Sequence, residues 1–202
     1  SIWSVYPGFV LLYPNASTNT NGLTWDFEGS GYLWLPPLME DPQDENVTYI
    51  AGGGINGGNH IIKLTKNGNS IQHEEMPFPF NNTITSMAYS PIDNSHWYVV
   101  TYNGSFYHSV DYGNSWQISM GFSGPESHYF YGSTIYPSNQ TLGKVVIGGS
   151  GYSNNPVFIT YNHGQSFQNF SQGLPNTMVF KIDGTLSDEV IFAATELGPY
   201  AY

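Results

Sequence analysis

A glycine-centred motif returns along this chain at a spacing of just under fifty residues. Gly22, Gly68, Gly113 and Gly164 lie 46, 45 and 51 residues apart, each within a similar polar and aromatic stretch. The copies read TNTNGLTW at 18–25, LTKNGNSI at 64–71, SVDYGNSW at 109–116 and TYNHGQSF at 160–167. A fixed period of this length is typical of chains built from one repeated supersecondary unit, so it constrains the fold more than any single residue does.

Apolar runs keep the same period. They read VTYIAGG (47–53), HWYVVTY (96–102), KVVIGGS (144–150) and EVIFAAT (189–195). Each run follows a polar turn, and the last three turns follow a further alternating strand. The pattern therefore predicts four short strands in each repeat, and no stretch shows a sustained helical period. We predict an all-β fold, a β-propeller built from four-stranded antiparallel blades of about 47 residues.

The repeat predicts three full blades with partial blades at both ends. The full blades are expected at 28–72, 83–119 and 129–170. The partial blades are expected at 1–27, with room for two strands and the remnant of one before them, and at 177–202. Both ends supply a third strand, so we expect an incomplete propeller that the rest of a longer chain, or another chain, completes. The alternative is a compact four-bladed ring, sealed by an N-terminal strand that pairs beside the C-terminal ones.

The copy at 109–116 resembles the Asp-box, S-x-D-x-G-x-[ST]-W, of the BNR-repeat propellers found in sialidases, xyloglucanases, sortilin-type receptors and photosystem assembly factors. The resemblance implies a structural hairpin, so Asp111 is not expected to be catalytic. Glycine permits the positive φ of a tight turn, and short polar side chains can accept from its N–H groups. The structural positions are Ser109, Asp111, Gly113, Ser115 and Trp116, and in the second copy Thr160, Asn162, Gly164, Ser166 and Phe167.

The charge composition excludes several functions. The chain has four lysines, no arginine and a formal net charge of −11. Nucleic-acid binding is not expected, because phosphate contacts need Lys and Arg. The resemblance implies basic patches in photosystem assembly propellers and an arginine cluster in sialidases, and this chain lacks the residues for either. No apolar run reaches the roughly 18 residues of a membrane span, so membrane insertion is not expected.

The sequence carries no recognisable pattern for a metal or a cofactor. It has no cysteine, and its histidines, at 60, 73, 96, 108, 128 and 163, show no zinc-ligand spacing. GGGING at 52–57 matches a dinucleotide pattern, but a strand follows it in place of the helix that would hold the pyrophosphate. The acidic stretch at 40–46 lacks the spaced ligands of a calcium loop. We therefore expect neither a metal nor a cofactor.

Two carboxylates are candidates for catalysis, although neither is assigned that role. A xyloglucanase-type glycosidase needs two carboxylates across a groove, and propeller ligands usually bind on the face opposite the glycine turns. Glu126 and Glu196 are expected on that face. Neighbouring aromatic residues either stack on sugar rings or pack in the core. The ligand-binding candidates are Phe122, Tyr129, Tyr131 and Tyr152.

These observations favour a secreted or cell-surface propeller module with a non-catalytic binding or structural role. A glycan or a protein partner would be held by stacking and by neutral hydrogen bonds. Six N-x-S/T sequons, at Asn15, Asn46, Asn81, Asn103, Asn139 and Asn169, favour an extracellular location. The alternative is a glycoside hydrolase of the xyloglucanase type with only part of its active site on this chain.

Overall fold

Antiparallel strands joined by turns make up the regular structure of the described residues, apart from one 3₁₀ turn at Ile55–Gly58. The computed structural model describes residues 1–13, 22–27, 33–52, 55–127 and 133–202. The chain divides into two compact units, Ser1–Ile84 and Thr85–Tyr202. Strands adjacent in sequence pair with each other, as expected when short turns join them.

The first unit contains a three-stranded sheet, in the order β1-β2-β3, and a four-stranded sheet, in the order β4-β5-β6-β7. Their bounds are β1 Ile2–Tyr6, β2 Phe9–Tyr13, β3 Leu23–Asp26, β4 Leu38–Glu40, β5 Val47–Ala51, β6 Ile61–Asn67 and β7 Ser70–Glu75. The sequence predicted two strands in the N-terminal piece, whereas the structure has three. The additional strand β1 forms because Gly8, at φ 91°, closes a tight hairpin in which Tyr6 pairs with Phe9.

The second unit contains sheets of four, four and three strands, in the orders β8-β9-β10-β11, β12-β13-β14-β15 and β16-β17-β18. Their bounds are β8 Ile84–Tyr89, β9 Trp97–Thr101, β10 Phe106–Ser109, β11 Gln117–Ile118, β12 Thr134–Pro137, β13 Val145–Gly148, β14 Val157–Thr160, β15 Gln168–Asn169, β16 Val179–Gly184, β17 Ile191–Thr195 and β18 Gly198–Ala201. Three four-stranded sheets, with a three-stranded sheet at each end, match the predicted fold class.

Burial falls steeply across each four-stranded sheet. Every residue of β9 and β13, the second strands, is buried, whereas every residue of β11 and β15, the fourth strands, is exposed. A strand that is buried on both faces needs apolar residues at every position, which explains the continuous apolar runs in the sequence. Within the second unit, β13 therefore lies between two neighbouring sheets.

Apolar clusters join the sheets within each unit. The cluster between the β8–β11 and β12–β15 sheets contains Tyr98, Val100, Phe106, Ile135, Val145 and Ile147. The cluster between the β12–β15 and β16–β18 sheets contains Tyr136, Val146, Val157, Ile159, Val179, Ile182, Ile191 and Ala193. In the first unit, Val10 and Phe27 pack with Ile50, Ile62 and Leu64. Burying each such large side chain contributes about 1.5–3 kcal/mol, so sheet-on-sheet packing dominates stability.

The strand ends of the second unit form two opposite edges. We call one the turn edge: it contains the turns between first and second strands, at 90–96, 138–144 and 185–190, and the glycine turns at 110–116 and 161–167. We call the other the loop edge: it contains the loops after the second strands, at 102–105, 149–156 and 196–197, and the connections between sheets. Because the strands run antiparallel, these two sets of connections alternate along the chain.

We expect Ile147→Ala to lower the free energy of unfolding by about 2–5 kcal/mol, because Ile147 is fully buried between two sheets and truncation leaves a cavity. Leu186→Ala is the matched control, since Leu186 is 84% exposed and should change stability by no more than about 0.5 kcal/mol. Urea unfolding followed by tryptophan fluorescence measures both. Equal effects for the two variants would contradict the arrangement of the core.

Candidate functional site

The glycine turn at 109–116 is closed by its own side chains. The Ser109 hydroxyl donates to Asp111 Oδ1 (2.7 Å) and accepts from the backbone N–H of Gly113 (2.9 Å). Asp111 also accepts from the Ser115 backbone N–H at Oδ1 (2.9 Å) and from the Ser115 hydroxyl at Oδ2 (2.6 Å). The Trp116 indole N–H donates to the Gly113 carbonyl (2.9 Å). The Asp111 carboxylate is therefore occupied by the hydrogen bonds that shape the turn.

The turn at 160–167 repeats this network with an amide in place of the carboxylate. Asn162 Oδ1 accepts from the Thr160 hydroxyl (2.9 Å) and from the Ser166 backbone N–H (3.0 Å). Its amide nitrogen donates to the Ser166 hydroxyl (3.0 Å), and the Gly164 N–H donates to the Thr160 hydroxyl (2.9 Å). The two turns are thus equivalent in geometry despite the change from Asp to Asn.

The weaker copies of the motif differ from these two turns. Around Gly68, Asn67 pairs directly with Ser70, so β6 and β7 are joined by a two-residue hairpin turn. In the N-terminal copy, residues 18–21 lie outside the described residues.

Two of the predicted aromatic residues, Phe122 and Phe167, stack on each other with ring centroids 3.7 Å apart. Phe122 also meets Phe158 edge-on, and Phe167 meets Phe106, which lies on the neighbouring sheet, in the same way. All four belong to, or pack against, the cluster between the first two sheets of the second unit. Phe167 therefore links adjacent sheets, and the ring face of Phe122 towards Phe167 is covered.

Tyr152 and Glu196 meet at the loop edge. Tyr152 is 64% exposed, and its hydroxyl donates to the Glu196 carboxylate. This hydrogen bond, with the carboxylate charge, raises the pKa of Tyr152, so the phenol remains protonated at neutral pH. Leu197, beside Glu196, is 60% exposed. Tyr152, Glu196 and Leu197 thus present an aromatic face, an oriented carboxylate and an apolar side chain to solvent.

Backbone hydrogen bonds bring Glu126 to the same edge. The N–H of Ser150 donates to the Glu126 carbonyl (2.8 Å), and Ser150 forms a bridge with Met178. The N–H of Glu196 in turn donates to the Met178 carbonyl (3.2 Å). Glu126 and Glu196 are both exposed. The structure therefore brings Glu126, Tyr152 and Glu196 to one edge, while the candidates Tyr129 and Tyr131 lie outside the described residues.

Three histidines meet at the turn edge, although their spacing in the sequence indicated no metal site. One ring nitrogen from each of His96, His108 and His163 lies within 4.8 Å of the others, so the group could hold a metal ion. Burial, with the proximity of His163 and His96, lowers the pKa of His108 to about 4. Burial, followed by the proximity of His96, also lowers the pKa of His163. Both rings are therefore neutral at pH 7 and keep a lone pair.

The positions of two of these histidines within the repeat indicate that they lie close together, although their linear spacing does not. His108 directly precedes Ser109, the first residue of one glycine turn, and His163 lies inside the next turn. The glycine turns of adjacent repeats approach each other in a stacked fold, so His108 and His163, which lie at successive glycine turns, become neighbours. The pairing of Tyr152 with Glu196, 44 residues later, follows the same rule.

Comparison with solved structures identifies the fold. The GH74 xyloglucanase from Xanthomonas campestris superposes with a TM-score of 0.64 at 15% identity, covering 96% of this chain and 31% of its own. The GH74 enzyme of Niastella koreensis superposes with a TM-score of 0.61 at 15% identity, covering 96% of this chain and 31% of its own. YCF48 bound to D1 peptide gives 0.60 at 13% identity, covering 96% of this chain and 57% of its own. No protein-family model and no curated protein sequence matches the chain.

These similarities show that the chain has a β-propeller fold, which confirms the fold class predicted from the repeat. At 13–15% identity they show the fold alone. The chain spans about a third of the length of the GH74 structures and a little over half of the YCF48 structure. Relative to these structures, it is an incomplete propeller.

We expect Asp111→Ala to cost about 1–3 kcal/mol of unfolding free energy, because the N–H and hydroxyl groups of Ser115 lose their acceptor. Asp111→Asn is the matched control and should be nearly neutral at pH 7, since Asn162 performs the same role. Chemical denaturation of both variants measures this. Equal destabilisation by Asn and Ala would contradict the equivalence of the two turns.

We also predict that the stability difference between the wild type and Asp111→Asn depends on pH. The Ser115 hydroxyl, followed by its N–H group, lowers the pKa of Asp111 below its ordinary 3.8 against the opposing effect of partial burial. The carboxylate therefore stabilises the fold above pH 3.8, and this contribution is lost as the pH falls through the folded-state pKa. Wild-type stability relative to Asp111→Asn should consequently decline below pH 3.8. A stability difference that does not change at any pH below 3.8 would contradict it.

Proposed function

We propose that this chain is a segment of a secreted or cell-surface propeller that binds a glycan or a protein partner at its loop edge without catalysing a reaction. The observation that carries the proposal is the exposed Tyr152 ring, whose hydroxyl is held by Glu196 beside the exposed Leu197. An aromatic ring fixed at its polar tip loses little conformational freedom on binding, and it offers an apolar face to a sugar ring or a side chain.

The position of this pair supports the proposal. It lies at the edge opposite the glycine turns, where Glu196 and Leu197 form the two-residue turn between β17 and β18. YCF48, which has a similar fold, binds a peptide. The GH74 xyloglucanase, which also has a similar fold, acts on a polysaccharide. Both ligand classes are therefore compatible with a propeller scaffold of this kind.

The composition supports an extracellular site of action. Six sequons and a surface with few charges favour secretion, and in the described part of the chain no helix is long and apolar enough to cross a membrane. The exposed groups at the loop edge near Tyr152 are aromatic, apolar, acidic or neutral polar, Ser153 and Asn155 among them, which favours a ligand without negative charge.

The rest of a ring is the second partner that we propose. The second strands β9 and β13 are wholly buried, whereas β17 alternates, with Phe192 45% exposed and Ala194 exposed. Its sheet therefore keeps one face open to a further blade. The fraction of the GH74 structures that this chain spans agrees with additional blades.

A glycoside hydrolase of the xyloglucanase type is the second candidate function. The observation that favours it is the presence of two exposed carboxylates, Glu126 and Glu196, on one edge of a GH74-like scaffold. Glycosidases work with two carboxylates, one as acid and the other as base or nucleophile. In this case the remainder of the active site would lie on further blades.

We expect Tyr152→Ala to weaken ligand binding about tenfold, because truncation removes the stacking face, with a loss of about 1–2 kcal/mol. A glycan array and a peptide array, screened with the intact protein, supply the ligand, and titration calorimetry measures the affinity. Tyr161→Ala is the matched control: Tyr161 is 56% exposed but lies at the turn edge, so its loss should leave binding unchanged. Equal effects of the two variants would contradict the loop edge as the binding surface.

Reducing-sugar release separates binding from hydrolysis. We expect no turnover of xyloglucan or other neutral glucans by the full-length protein, because the binding proposal assigns no catalytic group. If turnover appears and Glu126→Gln or Glu196→Gln abolishes it, the hydrolase candidate replaces the binding proposal. If turnover appears and both variants retain it, the two-carboxylate assignment is wrong as well.

A further inference from the structure

The three histidines at the turn edge come from two adjacent sheets. His96 directly precedes β9, and His108 lies on β10, where it pairs with Tyr98. Residues two apart on a strand share a face, so His96, Tyr98 and His108 project from the same face of the first sheet of the second unit. His163 approaches this face from the glycine turn of the next sheet. We call these three histidines the histidine cluster.

Backbone geometry fixes the position of His163. Its φ is 57°, in the left-handed region, and its N–H donates to the carbonyl of Gly143 (3.0 Å). The ring Nδ1 lies 3.0 Å from the Tyr98 hydroxyl. A left-handed residue other than glycine is uncommon, and here the turn holds the imidazole over the neighbouring sheet. The location of His163 therefore depends on the same turn that carries Asn162 and Gly164.

The ring nitrogens are close enough for one metal ion. His96 Nδ1 and His108 Nε2 share a hydrogen bond of 2.9 Å, whose proton a metal ion would displace, and one nitrogen from each ring falls within 4.8 Å of the others. Tetrahedral Zn²⁺, with Zn–N bonds of about 2.05 Å, separates its ligand nitrogens by about 3.3 Å. The three rings are stacked, with centroids 4.5–5.1 Å apart and planes inclined by 18–26°, so binding of one ion requires side-chain rotations that turn their ring nitrogens toward a common point.

The surroundings of the histidine cluster also fit a metal. Asp93 Oδ2 lies 3.7 Å from His96 Nε2, so a carboxylate stands on the side of the His96 ring away from the other two histidines. Such a carboxylate raises the basicity of a metal-bound imidazole and orients it. The chain as a whole carries a net charge of −11, which favours a cation over an anion at this edge.

A pocket of about 250 Å³ opens beside two of the rings and gives access from solvent. It is lined by His108, Gln117, Ile118, Ser119, Met120, His163, Gly164 and Gln165. A site with three protein ligands keeps a fourth position for water or another small ligand, and this pocket has room for one. The two glutamines can hydrogen-bond to a molecule in that position.

We propose that His96, His108 and His163 bind one divalent transition-metal ion, of the class of Zn²⁺ or Cu²⁺, and that this ion links two adjacent blades at the turn edge. Neutral imidazoles prefer these ions, whereas Mg²⁺ and Ca²⁺ require oxygen ligands. Because the ligands come from β9, β10 and the next glycine turn, a bound ion stabilises the contact between the two sheets. It would not occupy the loop edge, so this inference does not depend on the proposed binding function.

The test uses the full chain without a histidine tag, freed of metal and kept in a non-coordinating buffer. Zn²⁺ is titrated by calorimetry, Co²⁺ by its visible absorption, and Mg²⁺ serves as the negative control. We expect one Zn²⁺ per chain, a Co²⁺ spectrum with nitrogen ligands, a higher unfolding midpoint with Zn²⁺, and no response to Mg²⁺.

Two variants remove ligands while keeping the fold. His108→Phe keeps an aromatic ring in the stack. His163→Asn introduces a residue that, like histidine, can adopt a left-handed φ. Each should weaken Zn²⁺ binding at least as much as the loss of an orienting group does, about 10- to 100-fold, and should abolish the Zn²⁺-dependent shift of the midpoint. His60→Gln, which alters a histidine of the first unit, should bind Zn²⁺ as the wild type does.

Near-ultraviolet circular dichroism without metal establishes that the variants are folded. The proposal is overturned if the folded wild type binds neither Zn²⁺ nor Co²⁺ at about 0.1 mM. It is equally overturned if His108→Phe and His163→Asn keep the wild-type affinity, or if His60→Gln loses as much affinity as they do.

Discussion

The burial of the second strands β5, β9 and β13 on both faces is the constraint on which this structure depends. A single four-stranded sheet cannot remove β13 from water, because Val145 and Ile147 face one neighbouring sheet while Val146 faces the other. Stability therefore comes from sheet-on-sheet contact, and one blade alone could not offset the entropy of ordering its strands. The same constraint explains why the apolar runs are continuous rather than alternating, and why β17 differs from the other second strands.

The two edges of the second unit differ in the groups that link neighbouring sheets. At the turn edge, side chains reach between sheets: the Ser119 hydroxyl donates to the Gly164 carbonyl (2.6 Å), and Asp188 accepts from the hydroxyls of Tyr136 and Ser138. Lys144 completes the Asp188 group at 3.3 Å. At the loop edge, the links between sheets are made mainly by backbone N–H and carbonyl groups. The Tyr152 hydroxyl is held there by Glu196 of the next sheet, while its ring stays exposed to a ligand.

Much of the fold could be predicted from the sequence, because the period of the glycine turns and the apolar runs both result from sheet stacking. Strand β1 could not, since Ile2–Tyr6 lacks the continuous apolar run that indicates the other second strands. The candidate site was predicted only in part: Glu126, Tyr152 and Glu196 were identified one by one, but their proximity depends on the order in which sheets stack. The histidine cluster was missed for the same reason, because linear spacing detects ligands on one element and not those shared by two.

The charges at the loop edge restrict what it can bind. Glu196 is already hydrogen-bonded to Tyr152, and Glu126 is exposed nearby, whereas the chain has no arginine and only four lysines. A sulfated or uronic-acid polysaccharide would bring further negative charge to two carboxylates, with no cation in this group to offset the repulsion. A neutral glycan meets no such cost, since its hydroxyls can donate to both carboxylates while a ring face stacks on Tyr152. The same physics favours a peptide with neutral or basic side chains over an acidic one.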